Sequence, residues 1–142
     1  MAAPFVGAYG APKFALEALT DALRVEVRPW GMHVSIIEPG AIATPIWQKS
    51  TQEANRMQDG LPPEASRLYG QALEAMRKAA AYSERTAIPV DAVVAAVVHA
   101  LTAEKPRIRY VIGRRAKMQA AIVRWLPDRT RDRLLARVLR LP

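Results

Sequence analysis

The amino-acid sequence predicts an α/β protein built as part of a doubly wound parallel sheet. Three observations lead there. Two short apolar runs, at 33–38 and 107–113, are bounded by turn residues and read as buried strands. Helical patterns lie before, between and after them. Strand, crossover helices, strand is then half of a doubly wound unit. Two strands cannot shield two layers of apolar helix, and sheets normally need more strands for independent stability, so the chain reads as incomplete.

The first helix runs from about Tyr9 to Arg28. Leu16, Leu19, Leu23 and Val27 recur at helical spacing, and Ala11, Ala15, Ala18 and Ala22 form a second stripe of small residues. Two stripes imply burial on two sides, against a sheet and a partner helix. Pro12 falls in the first turn, where its missing N–H costs little, and Pro29 with Gly31 stops the helix. The strand at His33–Glu38 ends at Pro39-Gly40. Residues 41–60 are polar, show no clear period and read as a loop with short helical turns. A helix over about Pro63–Tyr82 follows from Leu68, Ala72, Met76 and Ala79. Pro89 opens another that reaches about Leu101, with Asp91 in its first turn, where the helix dipole favours a negative charge. After the second strand comes a basic tail of two helices broken at Pro127. The boundaries expected are therefore 1–113 for the α/β part and 114–142 for the tail.

Composition narrows the chemistry. With 142 residues there is material for one modest domain. No cysteine is present, which excludes disulfides and thiolate catalysis. His33 and His99 make no zinc cluster without cysteine, so no metal site is expected, and both read as structural or surface residues. No apolar run spans a bilayer. The first ten residues carry neither a basic n-region nor an apolar h-region, which points to the cytoplasm. Of the net charge of +8, the tail carries +7, from nine basic and two acidic residues at 114–142. The rest of the chain is nearly neutral.

Tyr9 and Lys13 are four residues apart and share a helix face. A phenol, with an ordinary pKa of about 10, is a poor acid/base near neutrality. An ammonium beside it favours the phenolate, as general acid/base work on an alcohol or ketone requires. The spacing alone is common in helices. Its setting is more specific. The stretch Tyr9-Gly-Ala-Pro-Lys13, continuing through Phe14-Ala-Leu-Glu-Ala-Leu-Thr-Asp-Ala-Leu-Arg24, is followed by Trp30-Gly-Met-His-Val-Ser-Ile-Ile-Glu-Pro-Gly-Ala-Ile-Ala-Thr44. Together these resemble the short-chain dehydrogenase/reductase family in order and spacing, over roughly residues 5–113, and look most like its retinol and hydroxysteroid dehydrogenase branch.

The resemblance implies a Rossmann-type fold, of which this would be the C-terminal part, and a nicotinamide-dependent oxidoreductase using NAD or NADP. Tyr9 would give a proton to a carbonyl or take one from an alcohol. Lys13 would hydrogen-bond the nicotinamide ribose and favour the Tyr9 phenolate. Pro39 and Gly40 would form the turn beneath the nicotinamide, the backbone of Ile42 would meet its carboxamide, and Thr44 would bond the carboxamide or pyrophosphate. Ile46 and Trp47, in the loop after Thr44, would cover a hydrophobic alcohol or ketone. Other family features are not found. The seven glycines, at 7, 10, 31, 40, 60, 70 and 113, make no Gly-x-x-x-Gly-x-Gly phosphate turn. The Asn-Asn-Ala-Gly segment is absent, and the catalytic serine would lie ahead of Met1. The expectation is a truncated, inactive half whose cofactor binding is weak or absent. The rival reading is a non-catalytic interaction or dimerisation module, pairing through the Tyr9–Arg28 helix or lying on a membrane surface.

Three readings stay open for the tail. Leu134, Leu135, Val138 and Leu139 form one stripe among Arg131, Arg133, Arg137 and Arg140, and Met118, Ile122 and Trp125 form another. Packing on the body or on another subunit comes first, peripheral contact with a membrane second. Nucleic acid is not expected as a partner, because nothing beyond charge supports it.

Overall fold

The computed structural model describes residues 4–139; Arg140, counted among the tail cations, lies outside them. In chain order the elements are α1 (Gly7–Glu26), a 3₁₀ turn (Arg28–Trp30), β1 (Ile36–Pro39), α2 (Ile46–Asp59), α3 (Pro63–Arg85), α4 (Asp91–Thr102), β2 (Arg109–Ile112), α5 (Arg114–Trp125) and α6 (Asp128–Leu139). β1 and β2 pair in parallel, with Ile36 opposite Arg109 and Pro39 opposite Ile112. The architecture is mostly helical around a small parallel sheet, an α/β arrangement that forms part of a Rossmann-like fold. The chain divides into two compact units, residues 1–40 with 89–125 and residues 41–88 with 126–142.

In the first unit the sheet supplies the core. Ile36 on β1 and Tyr110 and Ile112 on β2 are buried. The alternation along β2 turns Tyr110 and Ile112 to one face and Arg109 and Val111 to the other. α4 lies against both strands. Tyr110 is anchored by its hydroxyl, which accepts from the Arg107 N–H at 2.9 Å and bonds His99 Nδ1 on α4 at 2.8 Å. The His99 and Tyr110 rings also meet edge-on, so His99 is a structural residue, as expected. His33 is exposed just before β1. Gly113 follows β2 at φ 102°, a backbone conformation open to glycine, and α5 starts directly after it.

α1 departs from expectation in two ways. It starts at Gly7, with the Gly10 N–H already bonded to the Val6 carbonyl at 2.9 Å. Pro12 is therefore the sixth helical residue and lies inside the helix. There its missing N–H deprives the Ala8 carbonyl of the usual i→i−4 bond. Secondly, the leucine stripe is not buried. Leu16, Leu19 and Leu23 are all exposed, and Thr20 alone is buried, its hydroxyl donating to the Leu16 carbonyl at 2.7 Å. A two-stranded sheet is too narrow to cover the helix. The links named between α1 and the sheet are ionic: Arg109 on β2 pairs with Glu17 and with Asp21, the latter at 2.9 Å, and also with Glu38 at 3.1 Å.

In the second unit, Ala72 of α3 and Leu139 of α6 are buried, and the two helices pack together. The tail breaks into two helices around Pro127 as expected. The segment 41–60, read as a loop, instead contains α2. Its sequence, Ile-Trp-Gln-Lys-Ser-Thr-Gln-Glu-Ala-Asn-Arg-Met-Gln-Asp, is rich in straight-chain helix formers but has no apolar stripe. None of its residues is buried, so the periodicity that marks a packed helix is missing. Arg77 Nη2 of α3 donates to Asn55 Oδ1 of α2 at 2.8 Å and ties the two together. β1 is shorter than expected and shifted to Ile36–Pro39, because strand pairing extends only as far as β2 offers a partner. At its start the Ile36 N–H bonds the Ile108 carbonyl and Ser35 Oγ bonds the Arg107 carbonyl.

Candidate active site

Tyr9 lies in the first turn of α1 and Lys13 one turn on. Tyr9 is 68% exposed, and Lys13 Nζ stands 5.6 Å from the centre of its ring. That is cation–π distance. Helical geometry alone brings the phenol and the ammonium together, both open to solvent.

Pro39 closes β1, and the Gly40 N–H donates to the Ile112 carbonyl at 3.0 Å. A Cβ on Gly40 would stand 3.1 Å from the Ala116 Cβ of α5 and 3.3 Å from the Ile112 carbonyl oxygen. Glycine is thus favoured here by close approach: the end of β1 lies tight against the first turn of α5.

Ile42 and Thr44 belong to the second unit. Ile42 forms an isolated parallel bridge with Ile88. The Ala43 N–H bonds the Ile88 carbonyl, and the Ile88 N–H bonds the Ala41 carbonyl, both at 2.9 Å. The Ile42 carbonyl accepts from Trp47 Nε1 at 2.8 Å. Among the bonds of the described residues, the Ile42 N–H is not engaged, and the Thr44 hydroxyl is exposed beside it in sequence. Ile46 and Trp47, expected in a covering loop, form the first turn of α2. Ile46 is exposed and Trp47 half-buried.

The structure therefore brings Tyr9 together with Lys13, and Pro39-Gly40 together with α5. Among the described residues, the Ile42 N–H and the Thr44 hydroxyl have no hydrogen-bond partner. In the second unit the Ile42 N–H and the Thr44 hydroxyl are donors of the kind a carboxamide or phosphate oxygen accepts from, and in the first unit the Tyr9–Lys13 pair offers a phenol and an ammonium to hydroxyl or carbonyl oxygens, so the chemistry of each group is compatible with a nicotinamide nucleotide. No residue among them makes a phosphate-binding glycine turn. Sequence reasoning missed the Trp47–Ile42 bond, the contact of Gly40 with Ala116 and the Arg109 cluster. Only the last left a signal, two carboxylates four apart at Glu17 and Asp21 on one face of α1. Arg24 holds the Asp21 carboxyl below its ordinary range by hydrogen bonding, and Arg109 adds to this. The Arg109 guanidinium is correspondingly raised, by the Glu17 hydrogen bond first. Among the described residues no group of histidines and carboxylates could hold a metal ion.

Comparison with known proteins gives this constellation a family. A family model for short chain dehydrogenase matches residues 1–55, which include Tyr9, Lys13, Pro39, Gly40, Ile42 and Thr44. The chain is 35% identical over 140 residues to the NADPH-dependent 3-dehydrocapnine reductase of Ornithobacterium rhinotracheale, covering 99% of this chain and 47% of that protein. It is 35% identical over 144 residues to 11-beta-hydroxysteroid dehydrogenase type 2 of Oryctolagus cuniculus, covering 98% and 36%. Against retinol dehydrogenase 5 of Mus musculus it is 35% identical over 141 residues, covering 96% and 44%. The chain spans less than half the length of these relatives. Its match to them over nearly all its own length shows that it belongs to the short-chain dehydrogenase/reductase family.

Proposed function

We propose that these residues are the catalytic half of an NAD(P)-dependent oxidoreductase that interconverts a hydrophobic alcohol and its ketone. The observation that carries the reading is the Tyr9–Lys13 pair, one turn apart at the exposed start of α1. In the reducing direction Tyr9 Oη gives its proton to the carbonyl oxygen as that oxygen becomes an alcohol; in the oxidising direction it takes the proton back. Lys13 holds the ribose beside Tyr9. The cofactor, when bound, supplies or takes up the hydride. Pro39 and Gly40 would supply the turn for the nicotinamide, the Ile42 N–H and the Thr44 hydroxyl would donate to its carboxamide or pyrophosphate, and the Trp47 indole bonds the Ile42 carbonyl. Similarity to a 3-dehydrocapnine reductase, a hydroxysteroid dehydrogenase and a retinol dehydrogenase supports a hydrophobic substrate.

The 142 residues by themselves are inactive in this reading. The glycine turn and helix N-terminus that hold a dinucleotide's phosphates are not among them. A few hydrogen bonds at about 1 kcal/mol each do not offset the several kcal/mol of translational and rotational freedom lost on binding. The second reading, an interaction module, is favoured by one observation: Leu16, Leu19 and Leu23 present an uncovered apolar row on α1 through which a second copy could pair. Joining the chain to the N-terminal half of the 3-dehydrocapnine reductase tests the first reading. We expect nucleotide-dependent turnover of hydrophobic ketones, with Lys13→Met both slowing turnover and raising the KM for the cofactor. A well-folded joined protein that binds no nicotinamide nucleotide would favour the module.

A further inference from the structure

The two tail helices present different surfaces. On α6, Leu139 is buried and Leu135 half-buried where the helix packs on α3, so half of this stripe serves the protein's own core, while Leu134 and Val138 stay exposed. On α5, Ala116 and Val123 are the half-buried positions, with Ala116 against Gly40. Met118, Ile122 and Trp125 follow at i, i+4 and i+7, which places them on one face, turned away from Ala116 and Val123. All three are exposed, Trp125 at 82%. Lys117 and Arg124, both exposed and seven residues apart, line one edge beside this row, and Arg114 stands at its start on the same side. α5 contains no acidic residue.

A two-fold interface with a second copy would set this basic helix against itself, like charge on like. A tryptophan-ended apolar row bordered along one edge by cations suits instead the boundary of a negatively charged bilayer, where indole and methionine enter the acyl region and lysine and arginine stay among phosphates. We infer that α5 is a membrane-surface helix and that its partner is an anionic lipid bilayer. Twelve residues reach about 18 Å, short of a bilayer core of about 30 Å, so α5 lies in the surface plane. Among the described residues no helix is long and apolar enough to cross a membrane. Because Ala116 of the same helix supports Gly40, a bilayer-seated α5 holds the Pro39-Gly40 turn close to the lipid surface. The proposal does not depend on the reaction proposed above.

Vesicle co-sedimentation with the 142-residue chain tests it. We expect binding to phosphatidylcholine vesicles doped with phosphatidylglycerol and little to pure phosphatidylcholine. Raising salt from about 0.1 M to 1 M should weaken it at least tenfold as the Debye length shrinks. The triple variant Met118→Ser/Ile122→Ser/Trp125→Ser should bind at least about tenfold more weakly, and Lys117→Gln/Arg124→Gln several-fold more weakly. Lipids brominated on their acyl chains should quench the wild-type tryptophan fluorescence, and Trp125→Phe should bind while losing that quenching. Circular dichroism checks each fold; if the triple variant unfolds, the charge variant and the Trp125→Phe quenching decide. Equal binding to neutral vesicles, no binding to either, or unchanged affinity in a folded triple variant would overturn the proposal. An oligomer that the triple variant dissolves, without vesicle binding by the wild type, would make a second copy the occupant.

Discussion

Gly40 shows how a single residue can serve both fold and site. It ends β1, bonds the Ile112 carbonyl and admits Ala116 of α5 to a distance at which a side chain would be crowded. Gly40→Ala should therefore force α5 or the Ile112 carbonyl to move, costing roughly 1–3 kcal/mol of stability, read as a lower midpoint in urea. Pro12 is the opposite case. Placed inside α1, it withholds an N–H from the Ala8 carbonyl, so Pro12→Ala should stabilise the chain, by up to about 3 kcal/mol; an unchanged or lower thermal midpoint would show that the bond is not missed. Tyr9, Lys13, Pro39 and Gly40 stand out in the sequence because their setting, more than their spacing, resembles a family pattern. The sequence did not reveal the Trp47 indole on the Ile42 carbonyl, since a tryptophan five residues after a turn reads equally well as packing or as lining. Nor did it show Pro12 in the helix interior, because nothing in Val6-Gly7-Ala8 marks a helix start.

At the scale of elements, legibility followed apolar periodicity. α3, α4 and the broken tail were readable because each puts some apolar residues inward or carries proline at an edge. α2 was not, because it buries nothing and is held by propensity and by the Asn55–Arg77 bond. α1 was readable as a helix, but its burial was not, since burial depends on how many strands are present to cover it. What links α1 to β2 is the Arg109 cluster. Arg109→Gln should cost roughly 1 kcal/mol, the side chain being 38% exposed and the ion pairs screened accordingly. Asp21 gives this contact a pH dependence. Its folded pKa is depressed, so its stabilising effect is fully present above the unfolded value of about 3.9 and is lost as pH falls through the lower folded value. Asp21→Asn should flatten the acid limb of the stability profile below about pH 4 and leave the neutral range with the same slope. An acid limb identical to the wild type would place the sensitivity elsewhere.

Across the whole molecule, each unit has a small core, Ile36, Tyr110 and Ile112 in one and Ala72 with Leu139 in the other, while Phe14, Leu19 and Val25 on α1 stay open to solvent. Uncovered apolar rows of this kind favour association. The 142-residue chain should accordingly bind a hydrophobic dye and scatter light above the value for a monomer, with Leu19→Glu/Leu23→Glu reducing both. It should also show no saturable micromolar binding of NADH or NADPH, for want of the phosphate-binding turn. The family assignment rests on the chain's match over its own full length, and the proposed chemistry rests on one phenol. The most direct measurement joins this chain to the N-terminal half of the 3-dehydrocapnine reductase and compares turnover of the joined protein with its Tyr9→Phe variant, at matched circular dichroism and nucleotide affinity. Phenylalanine keeps the ring and its packing but has no proton to move, so turnover should fall by about 10²–10⁴-fold. A Tyr9→Phe protein that keeps most of its turnover would contradict the assignment of Tyr9 as the acid/base.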